Sequence, residues 1–235
     1  MNFSMRRVNA IFQKDFKDFS RNYAVSISIL MPLILAFIYG RFGELSIDVH
    51  YTVINLTMVV VGSFVQCSLI AEEKEKNTLR GLMLSPASTL EIIGGKSLLS
   101  FLATMIMTVI GAYLTGYQPE NIFVVAIAII LSSFFFIGLG TLLGLFSKSV
   151  MEASVIAMPA MFIFGFGSML TVFVDKYPIL KVMDFLPNTQ LIEIATKVEA
   201  GSGLSGVWTN LGIIALWGLA IYILTAIIFK RRKMD

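Results

Sequence analysis

The chain has 235 residues, 57% of them hydrophobic and 14% charged, against about 45–50% and roughly 25% in an ordinary soluble domain. A soluble core of this size does not need that much apolar surface, so the composition excludes most soluble classes. The formal charge of +3 is small, and the single cysteine, Cys67, lies in an apolar run, which excludes a disulfide framework and a zinc spacing.

The first 22 residues predict an amphipathic helix. Val8, Ile11, Phe12, Phe16 and Phe19 recur at helical spacing, while Arg7, Lys14, Asp15, Lys17 and Asp18 fall largely elsewhere. Such a helix is suited to the membrane interface, its aromatic face toward the acyl chains and its bases near anionic headgroups. The alternative is a cytoplasmic helix packed on the rest of the protein.

Six stretches follow that are long enough for a hydrocarbon core about 30 Å thick, which takes about 20 helical residues. They are Tyr23–Tyr39, 51–71, 97–116, Ile122–Phe146, 154–174 and 209–229, and none contains Lys, Arg, Asp or Glu. Each such charge would cost about 2.5–3.5 kcal/mol near a helix centre. The first run follows a charged helix and has no small-residue cleavage site behind it, so it reads as a retained span, not a signal peptide. Pro32 and Pro159 predict kinks in spans one and five. Asn55, Ser63, Gln66 and Ser68 make span two the most polar, and such groups should face a neighbouring helix or a cavity. Gly138, Gly140 and Gly144 include a Gly-xxx-Gly pair, which predicts close approach of span four to a neighbour or a contact between subunits.

The loop between spans two and three, 72–96, carries the most information. Glu72 and Lys76 stand at i, i+4, so span two continues as a charged helix. Leu79, Leu82 and Met83 make a small apolar face, Pro86 ends that helix, and Ser88 with Glu91 forms a capping box for the next. A short amphipathic helix between two spans suits docking to a partner; a solvated charged loop is the bland alternative. Between spans five and six, the segment 175–208 has apolar patches at Ile179, Leu180, Val182 and Met183, then at Leu191, Ile192, Ile194, Ala195 and Val198. Pro187-Asn188-Thr189 between them starts a helix. Two short helices returning partway into the bilayer fit this pattern, tolerated there only if buried in protein or lining a wet cavity.

Of the 18 Lys and Arg residues, fourteen fall on one side: Arg6, Arg7, Lys14, Lys17, Arg21, Lys74, Lys76, Arg80, Lys96, Lys148 and 230–233. Only Arg41, Lys176, Lys181 and Lys197 fall on the other. The positive-inside rule therefore puts both termini in the cytoplasm.

Catalytic patterns fail on their missing partners. Gly95-Lys96-Ser97 resembles the end of a phosphate loop, but Leu90 stands where the first glycine is required and no strand precedes it. Glu72-Glu73 lacks the companion histidines of an intramembrane protease, and His50 is the sole candidate base for Ser168. A lone His and a lone Cys do not make a metal site. No catalytic residue, bound cofactor, metal or nucleic-acid surface is expected.

The run Glu-Lys-Glu-Lys-Asn-Thr-Leu-Arg-Gly-Leu-Met-Leu-Ser-Pro-Ala-Ser, followed by Glu-Ile-Ile-Gly-Gly-Lys, resembles the loop of type-2 ATP-binding-cassette (ABC-2) permeases. Asn77 stands where many members of that family have glycine. The likeness extends to the whole layout: amphipathic N-terminus, six spans, and a long segment between spans five and six. It implies an all-α integral membrane fold in which the loop is a coupling helix, received by a groove on a separate ATPase that holds the ATP and magnesium. Glu75, Thr78, Leu79, Leu82 and Met83 take the coupling role by position. It further implies that two permease copies, identical or paralogous, pair with two ATPases in a bacterial plasma membrane. Spans one, two and five would then surround the route, which makes Asn55, Gln66, Met158, Met161, Phe164 and Met169 candidates to line it, and the segment 175–208 would close its external mouth.

Export is the expected direction. A membrane-seeking peptide such as a toxin or bacteriocin, or an amphipathic drug, is the first choice of substrate, because Met-rich walls suit a flexible apolar one. Polysaccharide and sodium ions are the alternatives within the family. From other classes, the competing readings are a six-span capture subunit of a vitamin importer, an intramembrane enzyme and a channel.

Overall fold

The computed structural model describes residues 3–170 and 177–232. Every regular element among them is helical. Five helices are long and apolar enough to cross a membrane: Ile47–Glu75, Leu90–Thr115, Ile122–Phe146, Val150–Gly167 and Leu204–Phe229. Met5–Arg21 and Tyr23–Tyr39 meet at 85°, and counting that pair as one broken span brings the number to six.

The N-terminal helix α1 (Met5–Arg21) stops at Asn22, whose side chain accepts from Val25 N–H and so caps the next helix. Span one is α2 (Tyr23–Ser28) and α3 (Leu30–Tyr39), divided at Ile29 just before Pro32. Pro32 has no N–H to give to the preceding turn, which accounts for the break there. Pro159 is carried inside one continuous helix, Val150–Leu170.

Span two is a single rod made of α4 (Ile47–Thr57), a π-helical stretch (Met58–Phe64) and α5 (Val65–Glu75). It is the axis of the bundle, and its most apolar stretch is 94% buried inside this one chain. Around it stand α7 (Thr89–Thr115), α8 (Ile122–Phe146) and α9 (Val150–Leu170), with α11 (Trp208–Arg232) packed mainly on α8. A six-residue helix, α6 (Thr78–Met83), lies between α5 and α7, and α10 (Pro187–Glu199) packs among α4, α8, α9 and α11.

Glycines in α8 explain how the axis is gripped. A Cβ on Gly140 would lie 2.2 Å from the Ser63 carbonyl oxygen, and one on Gly144 would lie 2.7 Å from that of Cys67. Span four therefore rests directly on the backbone of span two, and Ser63 Oγ donates to the Phe136 carbonyl at 2.6 Å across the same seam. The Gly-xxx-Gly pair serves packing within the chain, not a contact between subunits. Phe135, Phe136 and Phe164 meet edge to face above it, with centroids 5.2–5.6 Å apart. Gln66 joins three spans, donating to Thr141 Oγ1 at 3.0 Å and accepting from Ser100 Oγ at 2.7 Å. Both ends of this buried amide are satisfied, so a polar group in the core adds specificity without a stranded donor.

The reading of α1 needs correction. Val8 and Ile11, assigned to the lipid-facing side, are buried against α7. Gly95 makes this possible: a Cβ there would come 2.9 Å from Ile11. Phe12 and Phe19 are partly buried in a cluster with Val25, Val65 and Leu99, while Phe16 and Met5 remain exposed. Much of the apolar face is thus covered by protein, with only a remainder left open.

Candidate functional site

The loop after span two is built from helix-ending signals. At the end of α5, Lys76 N–H bonds to the Glu72 carbonyl at 3.0 Å and Asn77 N–H to that of Lys74 at 3.0 Å. Asn77 then turns into the left-handed region with φ 57°. Asparagine tolerates that conformation better than other side-chain-bearing residues. Thr78 opens α6, its Oγ1 donating back to the Glu73 carbonyl at 3.3 Å. The capping box expected at α7 is present: Glu91 N–H donates to Ser88 Oγ at 3.3 Å, and Ser88 N–H donates to Glu91 Oε2 at 2.6 Å.

The last turn of α5 is tied to two further spans. Lys74 Nζ donates to the carbonyls of Leu145 and Ser147, the last acceptors of α8. The carboxylate of Glu75 accepts from Val150 N–H at 2.9 Å, capping the first turn of α9. Glu91 does the same work on the other flank, accepting Ser4 N–H at 2.6 Å and pairing with Arg7 at 3.2 Å.

Beside this loop lies a buried cluster of charges. Lys96 is 1% exposed, and its Nζ sits 3.2 Å from Asp15 Oδ1 and 2.7 Å from Glu73 Oε2. Lys14 pairs with Glu73 as well, and with Asp18 at 3.4 Å. Burial pushes the Asp15 carboxyl up, against the pull of Lys96. Burial alone would lower Lys14, yet Glu73, aided by Asp15 and Asp18, holds it above the ordinary lysine value. Two cations and two anions, Lys14, Lys96, Asp15 and Glu73, so lock α1, α5 and α7 together at the end where α6 projects. Lys96 is therefore a structural cation, and the resemblance of its tripeptide to a phosphate loop has no counterpart in the fold.

A comparison with family profiles matches residues 20–227 to the ABC-2 family transporter proteins. The chain belongs to the ABC-2 transporter family. No curated protein matches it. This permease is accordingly a multi-pass membrane protein of a family whose membrane domain has no ATPase site and generally pairs with ABC ATPase subunits. Membership replaces the readings as a vitamin-capture subunit, an intramembrane enzyme or a channel.

Of the residues carried over to coupling, Glu75 and Thr78 are exposed, though Glu75 is engaged in capping α9. Leu82 is only half-exposed and packs against a cluster of Ile11, Ile70, Ile92, Leu145 and Phe229. The side chains of Leu79 and Met83 lie outside the described residues. The apolar side chains that do stand out from this region are Leu84, 78% exposed, and Leu90, 75% exposed. Sequence periodicity passed over both because each follows a helix boundary and belongs to no repeating face.

The residues carried over to the route divide into two groups. Asn55 and Gln66 are buried inside the chain, both facing neighbouring helices, as the cost of polar groups in lipid requires. Met158 is exposed on α9, continuing a face with Met151, Val155 and Phe162. Met161 and Phe164 are partly buried in the main core, and the side chain of Met169 lies outside the described residues. A cavity of about 400 Å³ opens elsewhere, between α7 and α8, lined by Ile54, Met105, Val109, Tyr113 and Ile130 among others. None of the route candidates whose side chains are described lines it.

Proposed function

We propose that this ABC-2 permease is the membrane half of an ATP-driven exporter of an amphipathic or hydrophobic substrate, a peptide toxin, bacteriocin or drug. Two copies, or one copy with a paralogue, surround the route, and two cytoplasmic ATPases dock on α6 and the end of α5. Glu75, Thr78, Leu79, Leu82 and Met83 form the contact, joined by Leu84. Both termini and α6 face the cytoplasm, as the excess of basic residues at that end requires.

The observation that carries this reading is the mechanical connection of α6. It stands on a rod that forms the bundle axis, and the rod's last turn holds the end of α8 and the start of α9. A displacement at α6 reaches spans two, four and five together, while the buried charge cluster passes it to α1 and α7. ATP binding drives transport only if the ATPase contacts differ between two states of this assembly.

At the far end, α10 supports a role in closing the route. Asn188 at its start meets Asn55 within span two, and Tyr117 donates to Glu199 at its end at 3.4 Å. Trp217, well inside α11, donates to the Phe185 carbonyl at 2.8 Å. These contacts fit a segment that descends into the bilayer before α10 and returns along it.

The test is docking. Thr78→Arg, on an exposed position, should reduce co-purifying ATPase about tenfold, the equivalent of about 1.4 kcal/mol. The variant should keep normal membrane insertion and elution volume. Unchanged ATPase recovery would remove α6 from the contact.

A further inference from the structure

We propose that Asn55, Asn188, Thr189 and the first turn of α10 form a hydration site at membrane depth, holding ordered water between span two, span five and α10. Helix α10 has 13 residues and begins without a side-chain cap, because Leu186 precedes it and Pro187 at its first position has no N–H. The amides of Asn188 and Thr189 are the open donors of that turn. Asn55 is aimed at it: its Nδ2 donates to the Asn188 carbonyl at 3.2 Å. The other atom of the same amide, Asn55 Oδ1, is buried with no partner among the described residues, and so are Asn188 Oδ1, Asn188 Nδ2 and Thr189 Oγ1. Asn55 and Asn188 are each 1% exposed.

The position of the site follows from Gly167. A Cβ there would lie 3.3 Å from Asn188 Nδ2, so the Asn188 amide faces α9 at a position that carries no side chain. Asn55 is the ninth residue of the rod that starts at Ile47, which places it about 12 Å along the axis at 1.5 Å per residue. Bulk solvent does not serve these atoms at that depth.

The chemistry of the set selects the occupant. Two amide carbonyls accept, one amide nitrogen and the open backbone N–H groups donate, and one hydroxyl does both. None of these groups carries a charge. A cation would leave the donors unmatched, and an anion would face two carbonyl oxygens. Water donates and accepts equally, and buried waters typically make about three bonds to such otherwise unsatisfied groups. A water-bridged seat also suits an element that has to move, because its bonds can be re-formed with other waters when α10 shifts. The proposal rests on the packing of α4, α9 and α10 and is independent of where the ATPase docks.

The test uses the full-length wild-type chain in lipid bilayers, labelled with ¹⁵N at Asn and Gln, and measures magnetisation transfer from water to side-chain amides. Gln66 is the internal dry control, since it is fully buried and both ends of its amide bond to protein. Exposed Asn77 is the wet control. The Asn188 amide should polarise several-fold faster than Gln66 and approach Asn77. Build-up at Asn188 no faster than at Gln66 would overturn the proposal. Gly167→Ala, which adds one methyl group against Asn188 Nδ2, should slow transfer at Asn188 and leave Asn77 unchanged. An unaltered rate at Asn188 in that variant would overturn the placement against α9.

Discussion

Lys96 illustrates how surroundings, more than neighbouring letters, assign a residue its work. Its tripeptide reads like part of a nucleotide site, yet the side chain is sealed between Asp15 and Glu73. Removing one member of a buried charge set leaves the others uncompensated, at a cost of about 3–5 kcal/mol. Lys96→Met should therefore sharply lower the yield of monodisperse protein and its unfolding temperature in detergent. Adding Asp15→Asn and Glu73→Gln should recover much of the loss; a single variant as stable as the parent would show that the cluster bears no structural weight. Asn77 makes a gentler case. The departure from glycine weakens the likeness on paper, but φ 57° is a conformation that asparagine accepts. Asn77→Gly should be neutral within measurement, whereas Asn77→Val should lose about 1–2 kcal/mol in thermal unfolding. The capping box at Ser88 and Glu91 was legible because it is local. The charge cluster was not, because Asp15, Glu73 and Lys96 are far apart in the chain and each alone resembles an ordinary solvated charge.

At the scale of elements, the apolar runs were legible from length and absence of charge, and the helix boundaries followed the proline and glycine signals closely. The π-helical stretch within span two had no composition signal, whereas the 85° bend after α1 falls at Asn22, where the charged amphipathic stretch gives way to the apolar run. The face of α1 was misread because an apolar stripe looks the same whether lipid or a neighbouring glycine receives it. Gly95 was the clue that a helix could press there. The tie between Glu75 and the start of α9 was equally invisible, and it complicates the coupling role. Glu75→Gln retains an oxygen to accept the Val150 N–H but loses the charge, while Glu75→Ala loses both. If Glu75 contacts the ATPase through its charge, both variants should impair docking in pull-down assays. Impairment confined to Glu75→Ala would assign Glu75 to capping span five alone.

For the whole molecule, span two is buried inside a single chain. Asn55 and Gln66 belong to the interior in this conformation, while spans one, three, five and six present open apolar faces, that of span five made of Met151, Val155, Met158 and Phe162. That distinction could not be read from sequence, where a polar residue in a span looks alike whether it faces a pore or a neighbouring helix. Orientation can be checked with the chain's own chemistry, because Cys67 is buried and provides a quiet background. Asn77→Cys should react with a membrane-impermeant thiol reagent only from the cytoplasmic side, and Glu120→Cys only from outside. The reverse pattern would invert the topology.

The most direct test of the central claim is purification of the tagged permease in mild detergent from its native host, with the co-purifying proteins identified and ATPase activity assayed. The account predicts an ABC ATPase in one-to-one ratio with the permease, and an ATPase activity that falls away with Thr78→Arg. A permease that purifies alone and without ATPase activity, from membranes where the partner is expressed, would contradict it.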